Sequence, residues 1–267
     1  MTEYPTGIGT STPESISLLG QDLAGELLGQ VGFGELAYRL ATKRQPTAGQ
    51  LRVFEAVLVS LADHGFTPTA LAARLTYYSA PDSLQGAVAA GLLGGGSRFL
   101  GVTEDTGAYL HGIVKNHDDT EGWGSDRWDD IARTAITESR SAGEKIPGLG
   151  HPVHKNGDPR TPVIMRIAEE SGVKGAHLEL FEAIGRVHPE LLGRTLPLNG
   201  AGVAGAALVD AGLPVSLLRG FALLARTAGL IGHIAEEDEN PIGPAIYTHV
   251  DRNAVYTPPA APGETAR

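Results

Sequence analysis

Between residues 146 and 160 the chain reads Ile146-Pro147-Gly148-Leu149-Gly150-His151-Pro152-Val153-His154-Lys155-Asn156-Gly157-Asp158-Pro159-Arg160. Three glycines and three prolines in fifteen residues exclude a regular helix there, because proline lacks the donor N–H and glycine is costly in a helix interior. The same stretch concentrates two histidines, a lysine, an aspartate and an arginine. Glycines allow a ligand to approach the backbone closely, and the cations suit an anionic one. Arg160 offers a planar fork that matches a carboxylate. His151 is the candidate to move a proton, since an imidazole titrates near neutral pH. These residue types describe a rigid polar loop that holds an anion and does acid–base chemistry on it.

The elements that must position this loop read as helices. Thr161-Pro162 opens a periodic run through Val163, Ile164, Ile167 and Ala168 that stops before Gly172, with threonine as N-cap and proline at the first helical position. Leu51, Phe54, Val57, Leu58 and Leu61 share a helical face; Gly65 supplies the stop, with His64 in the last turn. Pro81 to Leu93 reads as a helix ending in Gly94-Gly95-Gly96. A short helix follows from Leu178, Phe181, Ile184 and Val187, and Ser216 caps a long one through Phe221, Leu224 and Ile234. No sustained strand alternation is found, so the expected class is all-α, with residues 1–15 and 257–267 as loose tails. Helix faces rich in small residues (Ala87, Ala89, Ala90, Gly91; Ala204, Gly205, Ala206, Ala207) call for close packing on several sides or against a second subunit. His111-Gly112 and His117-Asp118 fall in a polar stretch that reads as a solvated loop rather than a metal site.

Composition narrows the function. The 267 residues carry a net charge of −10, which argues against nucleic acid as the main partner, because phosphate binding needs a basic face. There are no cysteines, so disulfides, thiolate metal sites and a cysteine nucleophile are excluded. No apolar run is read as reaching the roughly 18 residues of a membrane span. Residues 1–13 lack the layout of a signal peptide, and a cytoplasmic location is expected.

The pattern G-x-G-H-x-x-x-K-x-x-D-P-R, with Arg160 nine residues after His151, resembles the citrate synthase superfamily. It looks closest to the citryl-CoA lyases and the citrate-synthase-like module of ATP-citrate lyase. Leu61-Ala62-Asp63-His64-Gly65, Gly91-Leu92-Leu93, Ser97-Arg98-Phe99 and Arg226-Thr227-Ala228-Gly229 look like further landmarks in family order. The resemblance implies a minimal-length helical fold with a large dimerisation domain (1–97 plus 210–267) and a small domain (98–209), ligands sitting at the mouth between them. It implies a homodimer acting on an acyl-CoA, coenzyme A being part of the substrate and no cofactor being permanently bound. By family analogy His151 handles the hydroxyl oxygen of a citryl-type thioester, as acid in synthesis and base in cleavage. Arg160 and Arg226 would hold carboxylate, and His64 would contact the keto-acid. Ile146, Pro147, Gly148, Leu149 and Gly150 would cradle the adenine, with Lys155 beside the coenzyme. No metal ligands are assigned.

Two departures set this chain apart. The family's N-x-D element reads Asn199-Gly200-Ala201, so an alanine holds the aspartate position and Asn199 remains as a substrate-side candidate. The family's other histidine falls in Gly94-Gly95-Gly96-Ser97-Arg98, where Ser97 is the nearest match; Ser97 and Arg98 are therefore candidates to hold an enolate oxygen. A synthase must deprotonate an acetyl methyl, a step to which a general base typically contributes roughly 10²–10⁴-fold. A lyase depends less on that base, because water can protonate the departing enolate. The expected function is thus a CoA-dependent carbon–carbon lyase. The alternatives are a catalytically silent acyl-CoA-binding protein serving a partner enzyme, and citrate synthase proper. The arginine that the family's second subunit contributes would fall near Pro241 to Ile246, where this chain has none.

Overall fold

The structure is a computed structural model that describes residues 2–259. It is helical, as expected. In chain order come β1 (Gly9–Ser11), β2 (Ile16–Leu18), β3 (Gln21–Asp22), a π-helical turn at Leu23–Leu27, then α1 (Phe33–Thr42), α2 (Ala48–Leu61), α3 (Pro68–Ser79), α4 (Leu84–Leu93), α5 (Val102–Val114) and α6 (Ser125–Ser141). There follow α7 (Arg160–Glu170), α8 (Ala176–Leu192), α9 (Gly200–Asp210), a 3₁₀ turn at Val215–Leu217, α10 (Leu218–Glu239) and α11 (Gly243–Arg252). By packing, the described residues form two compact units: 2–63 with 95–226, and 64–94 with 227–259. These boundaries are not those drawn at 97/98 and 209/210 from the family resemblance.

The N-terminal stretch read as a loose tail instead contributes a small antiparallel sheet, with Thr10 opposite Ser17 and Leu18 opposite Gln21. Its strands of two or three residues are too short to show alternation in sequence. Residues 257–259 carry no regular element, and 260–267 lie outside the described residues.

In the first unit α9 is the central helix. Gly202 to Leu208 are all buried, and α5, α8, α7 and α2 pack around it. Its small residues make this possible. A Cβ on Gly205 would lie 2.2 Å from the Thr103 carbonyl of α5, and one on Gly107 would lie 2.2 Å from the Leu218 side chain. The alanine-rich face of α9 is therefore used inside the unit, on several sides. Around it, α8 buries Leu178, Leu180, Phe181, Ile184 and Val187. Helix α2 buries Val53, Phe54, Val57 and Leu61 behind a capping box in which Thr47 and Gln50 exchange hydrogen bonds. The periodic face expected for α2 is present, with Val53 taking the fully buried place that Leu51 was expected to hold.

In the second unit α3 packs against α4. Gly91 backs onto Leu230 and the carbonyl of Thr69, where a Cβ would be 3.0 Å from that oxygen. Buried Arg74 bonds Glu237, Glu236 and the carbonyl of Asn240. Glu237 also receives the N–H groups of Ile242 and Gly243 and so fixes the start of α11.

Several local expectations shift. Helix α2 stops at Leu61, so His64 lies in the loop beyond it and not in its last turn. Pro81 and Asp82 form a turn, and α4 begins three residues after Pro81, at Leu84. Helix α7 starts at Arg160 with Pro159 as N-cap; the Thr161 hydroxyl is used elsewhere, donating to the Leu198 carbonyl at 2.9 Å. His111 belongs to α5 rather than to a loop. Finally, residues 215–239 are long and apolar enough, by length and composition alone, to cross a membrane, contrary to the expectation that no such run exists. Leucine, isoleucine and alanine raise the average there although Arg219 and Arg226 interrupt it. Leu218, Ala222 and Leu230 of this helix are fully buried against protein.

Candidate active site

The loop at 146–150 is pinned to the segment that leads into α9. Gly150 N–H donates to the Pro197 carbonyl at 2.7 Å, and Asn199 N–H donates to the Gly148 carbonyl at 2.9 Å. The Asn199 side-chain amide closes the arrangement, donating to the Gly150 carbonyl and accepting from Gly202 N–H, both at 2.8 Å. Asn199 is thus N-cap and clamp at once, and both ends of its amide are engaged in structure. Gly148 and Gly150 have φ of +81° and +93°, a region glycine reaches without strain. Gly148 is also enclosed: a Cβ there would meet the Phe181 ring at 2.7 Å and Gly202 Cα at 3.1 Å. The loop expected to receive the coenzyme is therefore preformed.

His151 follows directly. Its Nδ1 accepts the N–H groups of Val153 at 3.1 Å and His154 at 2.9 Å. Two donors on Nδ1 place the ring proton of the neutral imidazole on Nε2. The His154 ring lies beside it, the ring centres 4.5 Å apart. Lys155 is exposed.

Asp158, to which the sequence reading gave no role, organises what comes next. One carboxylate oxygen accepts Arg160 Nη2 at 2.8 Å and Gly200 N–H at 2.7 Å. The other accepts Arg160 Nε at 3.0 Å and Arg160 N–H at 3.1 Å. Burial opposes ionisation of this carboxyl, yet the Arg160 guanidinium and the N–H groups of Gly200 and Arg160 together hold it well below the usual carboxylate range. The guanidinium lies flat on Gly200, where a Cβ would be 2.3 Å from Arg160 Nε. The spacing of aspartate and arginine in D-P-R was the available signal: an aspartate two residues before an arginine reaches both its backbone and its fork.

The two arginines converge on the end of α2. Arg160 Nη1 donates to the Ser60 carbonyl at 3.2 Å, and Arg226 Nη2 donates to the Leu61 carbonyl at 3.2 Å. Arg226 is 5% exposed. Burial lowers its pKa; Asp63 opposes the shift, and the neighbouring positive charge of Arg160 adds to it. Two cations held close with partial compensation form a site that an anion would relieve. Ala201 stands in the first turn of α9, partly buried against the core. Ser97 and Arg98 are exposed in the turn that precedes α5. His64 is described with the second unit. Thus the structure brings the loop 146–150, His151, Asp158, Arg160, Asn199 and Arg226 into one connected framework of the first unit.

Residues 24–245 match the family described as citrate synthase, C-terminal domain. The structure of citryl-CoA lyase from Hydrogenobacter thermophilus superposes with a TM-score of 0.81 at 30% identity, covering 98% of this chain and 97% of that one. ATP citrate lyase from Methanothrix soehngenii, solved in complex with citrate and coenzyme A, superposes with a TM-score of 0.80 at 22% identity over 97% of this chain and 42% of that one. Among characterised sequences, 2-methylcitrate synthase 1 of Corynebacterium glutamicum is 28% identical over 210 residues, 73% of this chain and 48% of that protein. Citrate synthase of Deinococcus radiodurans is likewise 28% identical, over 83% of this chain and 56% of that protein. The chain therefore spans about half the length of these synthases. Sequence and structure together place this chain in the citrate synthase family.

Proposed function

We propose that the protein is a CoA-dependent carbon–carbon lyase that cleaves a citryl-CoA-like β-hydroxyacyl thioester to an acyl-CoA and a keto-acid or ketone. The observation that carries this reading is His151, held at the end of the preformed loop by the N–H groups of Val153 and His154; Ala201 in the first turn of α9 puts a methyl group where a carboxylate would deprotonate an acetyl-CoA methyl, which disfavours synthesis. What remains suits bond cleavage. Arg160, locked by Asp158, and buried Arg226 hold the substrate carboxylate. His151 acts on the hydroxyl oxygen through Nε2: for cleavage its ring proton moves to Nδ1, which gives up the Val153 and His154 N–H groups, so that Nε2 takes the hydroxyl proton as the carbonyl forms, and the resulting imidazolium returns that proton in the condensing direction. As the carbon–carbon bond breaks, its electron pair passes into the thioester, and water protonates the resulting enolate. Ile146 to Gly150 receive the coenzyme on a preformed backbone, with Lys155 exposed beside it. Ser97 and Arg98 complete the proposed substrate side within the first unit, and the protein works as a homodimer.

Ala201 equally favours a second reading, an acyl-CoA-binding protein without turnover. Citrate synthesis is the third, supported by the matched synthases and opposed by the same alanine. The experiment is direct. Wild-type protein is given citryl-CoA, and acetyl-CoA release is followed by chromatography. His151→Ala should abolish turnover while calorimetry shows nearly unchanged CoA affinity, because the imidazole acts on the reacting oxygen and not on the coenzyme. Absence of cleavage by wild type, with CoA still bound, would replace the lyase by the silent binder.

A further inference from the structure

A second cluster of histidines lies outside this framework, on two helices that flank the loop. His111 is on the last turn of α5, and His177 is on the first turn of α8. His111 Nδ1 and His177 Nε2 are 3.2 Å apart. The rings are close to parallel, at 17°, with centres 5.5 Å apart. On its other side His177 Nδ1 meets Asp210 Oδ1 at 2.7 Å. The Asp210 carboxylate is 3% exposed and also accepts the N–H groups of Gly175 and Leu178, both at 2.9 Å. That carboxylate therefore fixes both the start of α8 and the orientation of the His177 ring.

These contacts determine where the protons are. An ionised, buried Asp210 requires a proton on His177 Nδ1, which leaves a lone pair on His177 Nε2. His111 now donates its Nδ1 proton to that lone pair. If His111 carries its proton on Nε2 instead, two lone pairs face one another across the gap. No proton leaves the pair in this change of tautomer. Two nitrogens bound to one tetrahedral ion at about 2.0–2.1 Å stand about 3.3–3.4 Å apart, close to the spacing already present.

We propose that His111 and His177 form a binding site for one divalent transition ion of borderline softness, such as zinc, nickel or copper(II), with Asp210 orienting His177 behind it. Imidazole suits these ions, and a carboxylate on the far nitrogen of a ligating histidine is the usual supporting partner. Water completes the coordination on the exposed side, where His111 can turn slightly to aim its lone pair. The ion would tie α5 to α8, the helices that supply Thr106 and Phe181 to the enclosure of Gly148.

The test uses full-length protein freed of metal with a chelator and then titrated with zinc chloride by calorimetry at neutral pH. One saturable site per chain in the micromolar range is expected, with a rise in melting temperature. His111→Gln, an exposed change that spares the Asp210 contacts, should abolish saturable binding. Asp210→Asn should weaken it about 10–100-fold. His151→Gln should leave it intact. The proposal fails if wild type shows no saturable zinc site up to millimolar concentration. It also fails if His111→Gln binds as well as wild type, or if His151→Gln is the change that removes the site.

Discussion

Replacing Asp158 by asparagine tests how Arg160 is held. The aspartate side chain is fully buried, and its two oxygens accept four hydrogen bonds, three of them from Arg160 and one from Gly200. Asparagine keeps one oxygen. Its amide nitrogen must then face two N–H donors, so two of the four bonds are lost and two donors meet a third. Hydrogen bonds to a charged group contribute roughly 1.5–3 kcal/mol each, which puts the loss at about 3–6 kcal/mol. Breaking a buried ion pair from one side costs about 3–5 kcal/mol by a separate route. Arg160 is 22% exposed, so water can take over part of its bonding, and the lower end, about 3 kcal/mol, is expected. That corresponds to a fall in Tm of roughly 6–12 °C. Urea unfolding at pH 7, followed by circular dichroism, measures it. The pH dependence gives a second reading. The folded pKa of Asp158 is depressed, so its stabilisation is fully present above the ordinary aspartate value near 4. It is lost only as pH falls through the lower folded value. The gap between wild type and variant should therefore hold from pH 7 to about pH 4 and close below that. A loss under about 1 kcal/mol at pH 7 would refute the structural role assigned to Asp158.

Gly202→Ala would put a methyl 2.6 Å from Gly148 Cα and 2.8 Å from the Phe181 ring; overpacking of about 1–3 kcal/mol is expected, with weaker CoA binding by calorimetry. Ala201→Asp restores a carboxylate at a helix N-terminus that favours negative charge, and should enable exchange of acetyl-CoA methyl protons with deuterated water, read by mass spectrometry. Arg160→Lys keeps the charge but loses the fork, so KM for a carboxylate-bearing substrate should rise with steady-state assays. Light scattering should give a species of at least twice the 27.8 kDa chain mass, and a monomer at micromolar concentration would count against the dimer.

The outcome shows where sequence is informative in a helical protein. The 146–160 loop was legible because glycine, proline and histidine at fixed spacing leave few local conformations and one evident chemistry. The face of α2 was legible from its period. Partners distant in sequence were not. The period around Arg226 marks a helix but cannot say that its guanidinium reaches the Leu61 carbonyl, 165 positions earlier. The same holds for His111 and His177, 66 positions apart. Helix starts were displaced where a side chain found a better long-range bond, as Thr161 did with Leu198. The three short strands carry too few residues for any pattern to emerge.

The clamp between Asn199 and Gly150 joins residues 49 positions apart, with α7 and α8 on the intervening chain. Closing a loop costs entropy before any contact repays it, and that cost grows with the length enclosed. Helices α7 and α8 can gain their own turns from local bonds; the loop at 146–150 has a local bond from Leu149 N–H to the Ile146 carbonyl at 3.4 Å, and the bonds of Gly148 and Gly150 go to Pro197 and Asn199. Its shape must then be acquired late in folding, after α8 and the start of α9 have come to rest. Ligand added during refolding should accordingly leave the early rates unchanged and act on the final step, where the clamp closes.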